Sequence, residues 1–138
     1  MCNEKKIIHL QMIQEIISRM ASNSFAIKGW AVSLVVGVFV LSNKDADKSY
    51  FIVAYLPIIA FWLLDAYYLW QERLYRSLYD KIRYLSDEKI DFSMDTSFAK
   101  KDKTACTYIG CLFSKTIIGF YLSLLFVTSG VVVLTNIW

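Results

Sequence analysis

Three long apolar runs, at residues 25–42, 50–70 and 116–138, alternate with polar stretches along the chain. The hydrocarbon core of a bilayer is about 30 Å thick, and a helix needs roughly 20 apolar residues to cross it. Each run meets or nearly meets that length, and snorkelling flanks or local thinning close a small shortfall. The pattern predicts an all-α integral membrane protein with three transmembrane helices.

The stretches between the runs carry helical periodicity of their own. Over residues 4–22, Leu10, Met12, Ile13, Ile16, Ile17 and Met20 share a broad face, with Gln11, Gln14, Ser18 and Ser22 opposite. This predicts an amphipathic helix that packs on a partner helix, since its basic residues are too few for a headgroup-binding surface. Asn23 and Ser24 are expected to break it before the first span. After the second run, Leu74, Leu78, Ile82 and Leu85 recur at steps of four, four and three, with no Gly or Pro between 69 and 85. The second span is therefore expected to continue as a cytoplasmic helix over 71–85, pairing with the N-terminal helix. Tyr67, Tyr68 and Trp70 mark an aromatic belt at the inner interface. Residues 86–115 read as a linker of mixed charge whose Ile90, Phe92, Met94 and Phe98 can dock on the helical base. Residues 104–114 read as a short interfacial turn.

Composition narrows the class. At 138 residues, 57% of them hydrophobic, the chain is long enough for one small bundle and not for several domains. The first run begins too late, and without a small-residue cleavage site, for a cleaved signal peptide. Lysine and arginine then set the orientation. Four precede or open the first span (Lys5, Lys6, Arg19, Lys28) and nine lie between Arg73 and Lys115, against two, Lys44 and Lys48, in the 43–49 loop. Basic loops stay cytoplasmic. The N-terminus and the long loop are expected inside and Trp138 outside. Cys2, Cys106 and Cys111 then fall on the reducing side, so free thiols are expected, and their spacing, with the one His far away, makes no metal site.

A net charge of +3 is too modest for a nucleic-acid partner and fits topology and anionic lipid instead. No Gly-rich phosphate loop, Gly-x-Ser-x-Gly elbow or other cofactor motif occurs, and no nucleophile–base set is visible, so no enzyme and no cofactor are expected.

Three sets of residues stand out. Gly29, Ser33 and Gly37 line one stripe of the first span, and Gly119 and Ser123 repeat the device on the third. Small residues at that spacing let helices approach closely, within the chain or between chains. Lys28, Asp65 and Lys115 are ionisable residues within the spans or at their mouths, where a charge is expensive unless paired or wet. Asp65, flanked by apolar residues, is expected to pair with Lys28 or Lys115. A structural tie is preferred over a polar constriction in an oligomeric pore. At the cytoplasmic interface, His9, Met12 and Ile16 are expected to face Leu74, Leu78 and Ile82. His9 is either a polar, pH-sensitive interface contact or, more plainly, a partly exposed first-turn residue.

Several stretches carry a likeness. They are 9–14 (His9 to Gln14), 19–25 (Arg19 to Phe25), Lys28-Gly29-Trp30, 61–68 (Phe61 to Tyr68), 71–75 (Gln71 to Tyr75) and 91–96 (Asp91 to Thr96). Together they resemble a family of small, mostly uncharacterised bacterial membrane proteins associated with mobile elements and anti-phage defence islands. The likeness covers about the first two-thirds of the chain. It implies a bacterial inner-membrane protein with a role in defence, and transfers no functional residue. The function expected is an oligomeric effector that perturbs or perforates the inner membrane. The alternative is a non-enzymatic anchor or regulatory subunit for a cytoplasmic protein partner.

Overall fold

The computed structural model describes residues 2–41, 52–101 and 107–137. Among these residues every regular element is helical. They are α1 (Cys2–Leu41), α2 (Tyr55–Tyr84), a 3-10 turn (Asp87–Lys89), α3 (Ser97–Lys101), α4 (Tyr108–Leu112) and α5 (Lys115–Ile137). The expected outer loop at 43–49, Tyr50 and Phe51 at the head of the second run, and Cys106 lie outside the described residues.

The expected break at Asn23-Ser24 is absent, because α1 is one helix of 40 residues. Asn and Ser are mediocre helix formers, but each costs only a few tenths of a kcal/mol and neither removes a backbone donor. At 1.5 Å per residue α1 is roughly 60 Å long, about twice a bilayer core. Pro57 falls in the first turn of α2. Its missing N–H would be unpaired there in any case, so the helix needs no kink.

Two helical stretches are long and apolar enough to cross a membrane, Glu4–Leu41 and Lys115–Leu134. In each, only 17% of the most apolar stretch is buried. The core helix of a soluble protein is buried on most sides, so this exposure separates them from that case. The apolar half of α2 is diluted by Tyr55, Pro57, Trp62 and Asp65.

The chain divides into two compact units, Met1–Ser24 with Tyr67–Cys111, and Phe25–Ala66 with Leu112–Trp138. The core of the first is Ile13, Ile17, Leu78 and Ile82, with Leu10, Tyr75, Tyr79, Ile90, Met94 and Phe98 packed against it. Here the start of α1 meets the later turns of α2, and Lys6 Nζ donates to the Leu85 carbonyl just past the end of α2 (2.8 Å). That contact satisfies one of the carbonyls a helix end leaves without an internal partner.

The linker is held by side chains bonding their own backbone. Asp91 accepts from the Ser93 amide (3.1 Å), Ser93 Oγ from the Asp95 amide (3.1 Å), and Asp95 from the Ser97 amide (2.8 Å), which opens α3. Such Asx and Ser turns order a segment that has no sheet or helix ladder. They bring Ile90, Met94 and Phe98 onto the core, and Lys81 caps the Phe98 ring at 4.0 Å.

In the second unit the buried positions of α1 are Ile27, Ala31 and Val35, a stripe at steps of four. Ala54, just before α2, is buried, as are Ile58, Asp65 and Ala66 of α2 and Ile117, Tyr121 and Thr128 of α5. Phe25, Trp30, Val40, Leu56, Leu122, Phe126 and Val127 are exposed. An outer surface as apolar as the inside is the signature of lipid contact or of a partner.

Candidate functional site

Polar chemistry gathers at two places, one in each unit.

In the second unit, Lys28 Nζ lies 2.5 Å from Asp65 Oδ2. The Asp65 side chain is fully buried and the Lys28 side chain is 24% exposed. The partner of the buried carboxylate is thus Lys28, while Lys115 is exposed as the first residue of α5. Tyr121, also fully buried, donates its hydroxyl to the Phe61 carbonyl (3.1 Å). Its ring stacks on Trp62 with centroids 6.3 Å apart, and Trp62 Nε1 donates to the Leu112 carbonyl (3.1 Å). Further along, Tyr55 and Ser129 share a hydroxyl–hydroxyl bond of 3.0 Å. The ensemble joins α1, α2 and α5 through a neutral ion pair and tyrosine hydroxyls. A buried charge whose charged partner is in place is a structural tie. Tyr121 was not singled out in the sequence. A tyrosine inside an apolar run carries a polar tip that needs a partner, and that was the available signal.

The small-residue stripe lies off this interior. Gly29 is two positions, or about 200°, from Ile27 around the helix, which puts it on the far side from Ile27, Ala31 and Val35. A Cβ added at Gly29, Gly37 or Gly119 meets no atom within 4 Å. Ser33 and Ser123 are exposed, and each hydroxyl donates to the carbonyl four residues back, at Gly29 and Gly119. Among the described residues, no neighbouring atom approaches these glycines closely.

In the first unit, His9 is 4% exposed, which replaces the expectation of a partly exposed first-turn residue. Its ring lies 5.5 Å from that of Phe92, and among the described residues neither ring nitrogen has a hydrogen-bond partner. Phe92 has φ 54°, the left-handed region that a bulky residue seldom enters. His9, Phe92, Ile8, Met12, Met94 and Lys5 line an open cavity of about 470 Å³. Of the expected interface residues, Leu74, Leu78 and Ile82 are buried, Ile16 is half-buried and Met12 is 52% exposed. The buried edge of α1 runs through His9, Ile13 and Ile17, so Met12 lies outside it. Among the described residues no three His, Cys, Asp or Glu side chains converge to hold a metal ion, and Cys111 is buried, with Arg73 Nη1 donating to its Sγ (3.7 Å).

The chain matches no family model, no curated protein and no solved structure.

Proposed function

We propose that this protein is a non-enzymatic membrane anchor or regulatory subunit of the bacterial inner membrane. Its three spans would be the stretches around 25–41, 52–70 and 115–137, and its first unit would meet a cytoplasmic protein partner. The observation that carries this reading is the first unit itself. It has its own apolar core, its own capped turns and an open cavity, which is more ordered surface than a minimal membrane-breaching peptide needs. The second unit supplies the anchor, with exposed Phe25, Trp30, Leu122 and Phe126 against lipid. The positive-inside bias puts the basic first unit in the cytoplasm.

A second reading keeps the expected oligomeric, membrane-perturbing effector. It is favoured by the outward stripe of Gly29, Ser33 and Gly37, which is shaped for close approach of a second copy. The pairing of Asp65 with Lys28 weighs against it, because a neutral, enclosed pair offers no charge to a pore. The likeness to proteins of defence islands fits either reading.

A potential-sensitive dye on induced cells separates the two. The anchor reading predicts a membrane potential equal to that of uninduced cells. The effector reading predicts collapse on induction or triggering, and loss of that collapse in Gly37→Leu. In the monomer this substitution meets open space, so it acts only by forcing neighbouring chains apart.

A further inference from the structure

We propose that the open cavity of the first unit is a binding site for an acyl chain carrying a single anionic headgroup, with the head at His9 and Lys5 and the chain along Ile8, Met12, Phe92 and Met94. This inference rests on the first unit alone and not on the anchor reading.

Three independent observations meet there. The first is His9, which is more than nine-tenths buried and has no hydrogen-bond partner for either nitrogen among the described residues. A neutral imidazole has one N–H donor and one acceptor nitrogen, and buried polar groups are nearly always bonded. His9 lines the cavity with both nitrogens below its surface, and a turn of the ring brings an N–H out to a ligand oxygen. The second is composition. Apart from His9, the only polar side chain on the wall is Lys5, which is exposed and can swing its ammonium over a negative headgroup. One ammonium and one imidazole N–H suit a single negative charge; a doubly charged phosphate calls for more donors. The third is Phe92, whose left-handed backbone puts its ring against His9. Backbone strain of this kind persists where the surrounding structure fixes it and concentrates at ligand sites.

The cavity has the size of small-ligand sites, at about 470 Å³. Ile8, Met12 and Phe92 are each about half exposed, so the wall offers apolar surface to an incoming chain. Methionine is unbranched and adapts to flexible apolar ligands.

His9 is the only histidine of the chain, so its imidazole can be watched alone. The full chain, labelled with ¹⁵N-histidine, is placed in nanodiscs of phosphatidylcholine and titrated with dodecanoate. The expected result is a saturable shift of the His9 ring nitrogens that dodecanol does not reproduce. Lys5→Gln should raise the half-saturation concentration roughly three- to fivefold, the range of one exposed charge contact. Met12→Trp, at a half-exposed position, should fill the cavity and abolish saturation while the rest of the spectrum is kept. Discs doped with phosphatidylglycerol distinguish the sources. A His9 shift there without dodecanoate assigns the site to anionic phospholipid, and a shift only with dodecanoate assigns it to free fatty acid. The proposal is overturned by a shift that rises without saturating, by equal shifts with dodecanol, or by an unchanged titration in Met12→Trp. A His9 signal that moves with protein concentration alone would put a second copy in the cavity and also overturn it.

Discussion

Lys28→Met should be among the most damaging single substitutions in the second unit, at about 3–5 kcal/mol, because it strands a fully buried carboxylate. Asp65→Asn should cost clearly less. It leaves Lys28, whose side chain is 24% exposed and whose stem lets the ammonium move outward. The double variant Lys28→Met/Asp65→Leu should recover most of the loss, since an apolar pair of similar volume needs no desolvation of charge. Unfolding in mixed micelles with rising dodecyl sulfate measures all three. The order expected is parent, then double variant, then Asp65→Asn, then Lys28→Met. A Lys28→Met protein as stable as the parent would mean that the pair does not tie the helices. Normal stability with an altered membrane potential would return Asp65 to the pore reading.

The next largest effect is expected in the core of the first unit. Leu78→Ala should cost about 2–5 kcal/mol, the range for truncating a buried aliphatic side chain. Leu78 is 4% exposed and belongs to the cluster with Ile13, Ile17 and Ile82. Met12→Ala should stay within about 0.5 kcal/mol, as for an exposed position. Amide hydrogen exchange over residues 4–22 and 71–85 reads the difference directly, since opening of the unit exposes both helices. Equal loss of protection in the two variants would show that the buried edge of α1 has been assigned to the wrong residues.

The comparison of these two methionine and leucine positions shows where sequence pattern suffices and where it stops. The spacing of Leu74, Leu78 and Ile82 identifies the buried face of α2, because charged residues occupy much of the remaining surface. On α1 the apolar residues between 7 and 20 are too many for one stripe, so the pattern points to Met12 and Ile16 where the structure buries Ile13 and Ile17. The docking of Ile90, Met94 and Phe98 was legible from apolar residues in a polar linker, whereas the turns made by Asp91, Ser93 and Asp95 were not assigned. Asn23-Ser24 does not end α1, because each residue costs a helix only a few tenths of a kcal/mol and keeps its backbone donor. Asp65 announced itself as a charge in an apolar run, but a choice between Lys28 and Lys115 needs three dimensions. The burial of His9 was beyond the sequence, since it depends on Phe92, 83 positions away in the chain.

In the proposed topology α1, α2 and α5 each cross the bilayer and the first unit faces the cytoplasm. Paired alkaline phosphatase and green fluorescent protein fusions at Lys101 and after Trp138 test it most directly, since the first reporter is active only outside and the second only inside. Three spans with the N-terminus inside predict fluorescence at Lys101 and phosphatase activity after Trp138. Two spans, with α2 outside the bilayer core, predict the reverse pair. The reverse pair, or both fusions on one side, would contradict the account.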